Sequence, residues 1–164
     1  MLYFKGMNWR KLTREKQRLE LDDCYAVLRE EKRGVLSVLG DGDYPYGMPM
    51  NHYFDERDGN IYFHCGKVGH RLDSIKRCDK ASFCVYRELP ERDGEWKYFA
   101  SVIAFGKVEI ITDKTLTADI AERLSRKFTA DNDYIKNEID RFLPATILIK
   151  LTVEHISGKR VKES

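Results

Sequence analysis

Between Val35 and Cys65 the chain reads "VLSVLGDGDYPYGMPMNHYFDERDGNIYFHC", and no other stretch restricts the fold as much. "VLSVLG" and "IYFHC" are apolar, rich in β-branched and aromatic residues, and too short for helices. "DGDYPYG" gathers Asp, Gly and Pro into a turn, and the Asp58-Gly59 pair in "DERDGN" is a strong hairpin signal. The segment predicts an antiparallel meander over residues 35–65, with "MPMNHYF" as its middle strand.

The remaining chain extends this sheet and surrounds it with helices. "KLTREKQRLELDDCYAVLREEKRG" predicts a helix from about Thr13, with Asp22 or Asp23 as N-cap, Tyr25, Val27 and Leu28 on its apolar side, and Gly34 as C-cap. "GHRLDSIKRC" predicts a short helix, "ASFCVYR" a strand, and residues 88–97 a polar turn. "YFASVIAFGKVEII" predicts a long strand with a bulge or bend at Gly106. Residues 113–142 predict two helices capped by Asp113 and Asp131, and "ATILIKLTVEHISGK" a long closing strand. The sum is a mainly β (α+β) fold, a six-stranded antiparallel barrel with flanking helices. A barrel of that size is filled by its own side chains, so a ligand binds outside it, in a groove or at a subunit interface.

A chain of 164 residues buries roughly 70% of its unfolded surface and folds without staples. One domain over residues 13–160 is expected, after an extension at 1–12 and before a tail at 161–164. "MLYFKGM" reads equally as a tag remnant over residues 1–6 or as native sequence. A net charge of +2, with no interleaving of basic and aromatic residues, gives no support to nucleic-acid binding. No apolar run reaches the roughly 18 residues of a membrane span. Cys24, Cys65, Cys78 and Cys84 lack CxxC spacing and read as reduced thiols of a cytoplasmic protein.

Two places carry candidate chemistry. In "HCGKVGHRL" a strand hands over to a helix, and Lys67, His70 and Arg71 cluster there with Gly66 and Gly69. Helix starts favour anions, glycines admit close backbone approach, and arginine pairs with phosphate through two bonds. The corner reads as a phosphate clamp or as a solvated basic turn. In "YPYGMPMNHY", Pro49 interrupts a strand whose ladder it cannot join, which marks an edge strand or one left open for a planar ligand. Asn51 would offer that ligand a donor and an acceptor. No zinc spacing exists, and His64 and Cys65, as strand neighbours, point to opposite faces, so no metal site is expected.

In combination, "GVLSVLGDGDYPYGMPMNHYF", "GNIYFHCGKVGHRLDSI", "ASFCVY", "YFASVIAFGKVEI" and "ILIKLTVEHISGK" resemble the pyridoxamine 5'-phosphate oxidase-like split-barrel flavoproteins, in particular their nitroimidazole-resistance (Nim) branch. The resemblance implies an FMN-binding split barrel and a homodimer with flavin mononucleotide (FMN) in grooves at the subunit interface. It places Met48, Pro49, Met50 and Asn51 beside the isoalloxazine ring. His64, Cys65, Lys67, Gly69, His70 and Arg71 would hold the phosphate, and Ser101 would reach the ring from the partner subunit. Gly66 stands where many relatives have alanine, and His70 where a lysine or arginine is usual, making phosphate affinity sensitive to pH. Residues typical of vitamin-phosphate oxidation are missing. The implied activity is reduction of a small acceptor, a nitro compound or quinone, with NADH or NADPH as donor. A non-catalytic flavin carrier or sensor is the alternative, and haem binding a third. No residue is assigned as acid or base; His64 and Tyr53 lie near the ring by resemblance alone.

Overall fold

The structure is a computed structural model that describes residues 8–89 and 98–162. Most of the expected turn at 88–97, and the opening residues 1–7, lie outside the described residues. Helix α1 (Leu21–Glu30) precedes β1 (Arg33–Leu39), β2 (Pro45–Asn51), β3 (Tyr53–Asp55) and β4 (Asn60–Gly66). Then follow α2 (His70–Arg77), β5 (Lys80–Leu89), β6 (Tyr98–Ile111), α3 (Lys114–Arg126), α4 (Asn132–Phe142) and β7 (Thr146–Lys162). The strands form one antiparallel sheet in the order β2-β1-β5-β6-β7-β4-β3.

The described residues form seven strands rather than six, because "MPMNHYF" is not one strand. It breaks at His52, and its halves occupy opposite edges of the sheet: β2 pairs with β1, and β3 pairs with β4. The expected meander is therefore two hairpins joined across the opening of a barrel. One continuous piece of backbone links the two sheet edges, which makes this a split barrel. His52 enforces the break by burying its whole side chain, 0% exposed, and reaching back to the end of α1, with Nε2 2.7 Å from the Leu28 carbonyl oxygen. A carbonyl only accepts, so Nε2 carries the proton.

Alternation sorts the strands into an inner and an outer face. Leu36, Val38, Met48, Met50, Ile61, Phe63, Phe83, Val85, Val102 and Leu151 fill the interior, where Phe63 and Phe83 meet edge to face at 4.9 Å. A smaller cluster lies outside, where Tyr62 and Leu148 pack under Ile120 of α3. The expected bulge is present: the β6–β7 register shifts between Phe105 and Gly106. A Cβ on Gly106 would lie 2.0 Å from the Thr152 carbonyl oxygen, so the two backbones approach only because residue 106 has no side chain.

The first helix begins later than Thr13. Arg18 forms a bridge to Lys159, and the Leu19 N–H donates to the Gly158 carbonyl at 3.0 Å, so this segment is tied to β7 and stays extended. The N-cap is Glu20, without a side-chain bond, and Asp22 and Asp23 fall in the first turn, where their charge suits the helix dipole. Gly34 is not a C-cap but part of β1; a Cβ there would meet the Phe83 ring at 2.4 Å. Asp113 and Asp131 do cap α3 and α4, accepting from Leu116 N and Tyr134 N.

Candidate functional site

The β4–α2 corner is built by a strand that runs out of cover. Ile61 and Phe63 point into the barrel, and Tyr62 is held under α3 with its hydroxyl donating to Asp58 Oδ2 at 2.6 Å. His64 follows on the outer face, past that cover, and is exposed. It nonetheless lies low in a cleft, where burial first and the nearby Arg71 charge second lower its pKa and keep the imidazole neutral. Cys65 points the other way and packs against the barrel core, so the two neighbours do diverge. Burial raises the Cys65 thiol, and contact with Arg71 offsets this only in part, so the group is a protonated thiol rather than a nucleophile.

Past Cys65 the backbone opens. A Cβ built on Gly66 or Gly69 meets no atom within 4 Å. Gly69 has φ 126°, a conformation that side chains rarely adopt, and it is the N-cap of α2. Arg71, in the first turn of α2, is half-buried, and its Nε donates to Met48 Sδ at 3.2 Å. Among the described residues it makes no ion pair with a carboxylate. Lys67, four residues earlier in the chain, is exposed.

The corner thus brings Met48, His64, Cys65 and Arg71 together. Asn51, half-buried at the end of β2, lines the same cleft as His64, Cys65 and Gly66. β2 is an edge strand pairing only with β1, which accommodates Pro49 opposite Val35 and leaves part of its backbone outside any ladder. Met48 and Met50 bury their side chains inward, at 4% and 6% exposure, so what they offer a ligand is backbone. Ser101 lies elsewhere: it pairs with Lys159 near the far end of β7, whereas Gly66 pairs with Thr146 at its start.

His70 has partners of its own. Its ring stacks on Tyr46 at 4.3 Å, and Nε2 lies 3.5 Å from Asp41 Oδ2. Arg77 also binds Asp41 and donates to the carbonyls of Leu39 and Gly40, clamping the β1–β2 turn onto α2. Neither Asp41 nor Tyr46 was among the residues expected from sequence; a polar turn carries no signal of where it docks.

The larger omission is the far wall of the cleft. A cavity of about 430 Å³ lies between the end of β4 and the α3–α4 pair. α3 contributes Ala121, Leu124 and Ser125, the turn after it Phe128, and α4 contributes Tyr134, Glu138 and Phe142. Both helices use the spacing of a single face, three and four residues on from Ala121 in α3 and four and eight from Tyr134 in α4. That periodicity was readable, although it does not say that the two faces enclose a space. Among the described residues no three His, Cys, Asp or Glu side chains come together as metal ligands, and no helix is long and apolar enough to cross a membrane.

A split antiparallel barrel filled by its own side chains, with an open basic corner and an edge strand beside it, leaves a ligand only the outside of the barrel. The chain belongs to the pyridoxamine 5'-phosphate oxidase family, whose model matches residues 20–160. Its fold is shared with a putative 5-nitroimidazole antibiotic resistance protein from Bacteroides thetaiotaomicron (18% identity, TM-score 0.69, 87% of this chain and 86% of that one). It is also shared with a conserved hypothetical protein from Mycobacterium tuberculosis (14%, 0.75, 91% and 90%). A third likeness is to an FAD and haem binding protein from Mycobacterium smegmatis (17%, 0.69, 92% and 75%). No curated protein matches the sequence.

Proposed function

We propose that the crevice from the β2 edge to the β4–α2 corner binds FMN, and that the protein uses it to reduce small nitro or quinone acceptors with a nicotinamide donor. The observation that carries this reading is the corner itself. Arg71 has no carboxylate partner among the described residues, beside two glycines with open space where a side chain would be. A half-buried arginine and an exposed lysine around two open glycines suit a terminal phosphate. Lys67 and Arg71 would hold that phosphate, and the backbone of Met48, Pro49 and Met50 with the Asn51 amide would orient the ring edge. When bound, the flavin accepts electrons from the donor and passes them to the acceptor. The chain's own contribution is to bind and orient it and to keep a neutral His64 at the cleft wall. Cys65 contributes packing.

A second copy of the chain completes this reading. Ser101 shares an outer face with Ile103 and Phe105, all half-buried and none near the corner of its own chain. In a homodimer that face would supply Ser101 to the partner's flavin.

The test compares two substitutions on one helix. Arg71→Ala should weaken FMN retention on dialysis at least about tenfold, the value of one charge-assisted pair. Lys76→Ala, on the same helix but in an exposed ion pair with Asp73, should not. Equal retention removes the phosphate role. For turnover, the bound flavin should be reduced by NADH or NADPH without oxygen and reoxidised by a nitroimidazole. A flavin that every donor leaves oxidised would make the protein a carrier or sensor.

A further inference from the structure

The far wall of the cleft, behind the flavin corner, has a composition that the flavin reading does not use. Seven large apolar residues of the described chain stay exposed, and three of them, Phe128 at 38%, Tyr134 at 55% and Phe142 at 46%, line this one cavity. Aromatic rings leave water only when something covers them, and among the described residues these three remain only partly covered. Among the lining residues Glu138 is the one carboxylate, and no lysine or arginine is present. Glu138 is half-buried and makes no hydrogen bond or ion pair among the described residues. The other polar groups are the neutral His64, Asn51 and the hydroxyls of Ser125, Thr129 and Thr146.

We infer that this cleft is a binding site for an organic cation, an aromatic or alkyl ammonium or a protonated heteroaromatic base, held between Tyr134 and Glu138. Ring faces attract cations through their quadrupole, and a carboxylate at the same wall adds charge complementarity. Tyr134 and Glu138 are four residues apart on α4, so their side chains are neighbours on one helix face. The two other rings already receive cations of the protein itself. Lys32 and Arg33 lie 5.4 and 5.6 Å from the Phe128 centroid, and Arg141 lies 5.0 Å from that of Phe142. They flank the aromatic walls and leave Tyr134 with Glu138 as the pair not served by a protein cation among the described residues. Arg71, beyond His64, belongs to the opposite wall, where it favours an anion. The crevice is therefore bipolar, with its anion end at Arg71 and its cation end at Glu138. If the flavin reading holds, on which this last step rests, the site receives the electron acceptor and selects basic acceptors over acidic ones.

The experiment titrates the full chain as purified with benzylamine and with benzoate, which share a ring and differ in charge. Binding is followed by saturation-transfer NMR and by the His64 Cε1–H shift. Benzylamine should bind roughly tenfold or more tighter than benzoate. Glu138→Gln, close in shape, should erase that preference, and Tyr134→Ala should weaken benzylamine alone, with flavin content unchanged in both. Benzoate binding as tightly as benzylamine, or a preference that survives Glu138→Gln, overturns the inference. A flavin-free protein that still prefers benzylamine keeps it and discards the flavin reading; a flavin-loaded protein without the preference does the reverse.

Discussion

The chain makes two sharp corners at the ends of neighbouring strands, and they treat polar groups in opposite ways. At the β2–β3 corner everything is enclosed. His52 is fully buried, its Nε2–H donates to the Leu28 carbonyl, and the Lys127 ammonium donates to the carbonyls of Glu31 and His52. Burial lowers the His52 pKa to about 3 and that of Lys127 to about 8. At the β4–α2 corner the groups stay open: Gly66 and Gly69 face empty space, and Lys67 is exposed. A polar residue at a barrel corner is thus either a structural fastener or a ligand contact. What separates the two is whether backbone carbonyls already take the side chain's donors, as they do for His52 Nε2 and Lys127 Nζ although His52 Nδ1 is buried without a partner among the described residues. The comparison can be broken at either corner.

The largest effect should come from the closed corner. His52→Ala opens a cavity and leaves the Leu28 carbonyl without its donor, at a cost of about 2–4 kcal/mol. Urea unfolding measures it; a loss under about 1 kcal/mol would mean the corner is not a fastener. The wild-type residue also predicts acid sensitivity. The unfolded chain takes a proton on this imidazole near pH 6.5, and the folded chain refuses it until about pH 3. Between those values the unfolded state binds more protons, so this group's contribution to stability is intact above pH 6.5 and declines as pH falls toward 3. The slope reaches about 1.4 kcal/mol per pH unit. His52→Gln, which keeps a donor but cannot titrate, should flatten that slope, and an unchanged slope would assign the acid sensitivity to other groups.

The two corners also differed in how legible they were. The open corner stood out in "HCGKVGHRL" as glycine and charge at a strand end, and of the residues singled out there Met48, His64, Cys65 and Arg71 come together, while His70 turns to Tyr46 and Asp41. The closed corner was silent. "MPMNHYF" alternates like one strand, and nothing local reveals that His52 belongs to the interior and that the sheet's two edges meet through it. Its evidence is tertiary, a carbonyl 24 residues upstream and an ammonium 75 residues downstream. The start of α1 was misjudged for a similar reason, since the competitor for residues 18 and 19 is β7, at the other end of the chain. Strands, helix caps at Asp113 and Asp131, and the Gly106 bulge were readable because their causes are local.

The open corner offers the finer test, because its two glycines differ in what they require. Gly69 is needed for its backbone: at φ 126° an alanine is strained, and Gly69→Ala should cost about 1–3 kcal/mol. Gly66 lies in β4 with no unusual dihedral, and a Cβ there finds nothing within 4 Å. Gly66→Ala should therefore leave stability unchanged or raise it by about 0.5 kcal/mol, through a less flexible unfolded chain. A bulkier Gly66→Leu should be similarly stable yet compete with any ligand for the space beside Arg71. Thermal unfolding and FMN retention, measured on the same three samples, separate strain from occupancy. If Gly66→Ala is as damaging as Gly69→Ala, the space beside residue 66 is filled by the protein after all, and the contrast between a closed corner and an open one fails at its open end.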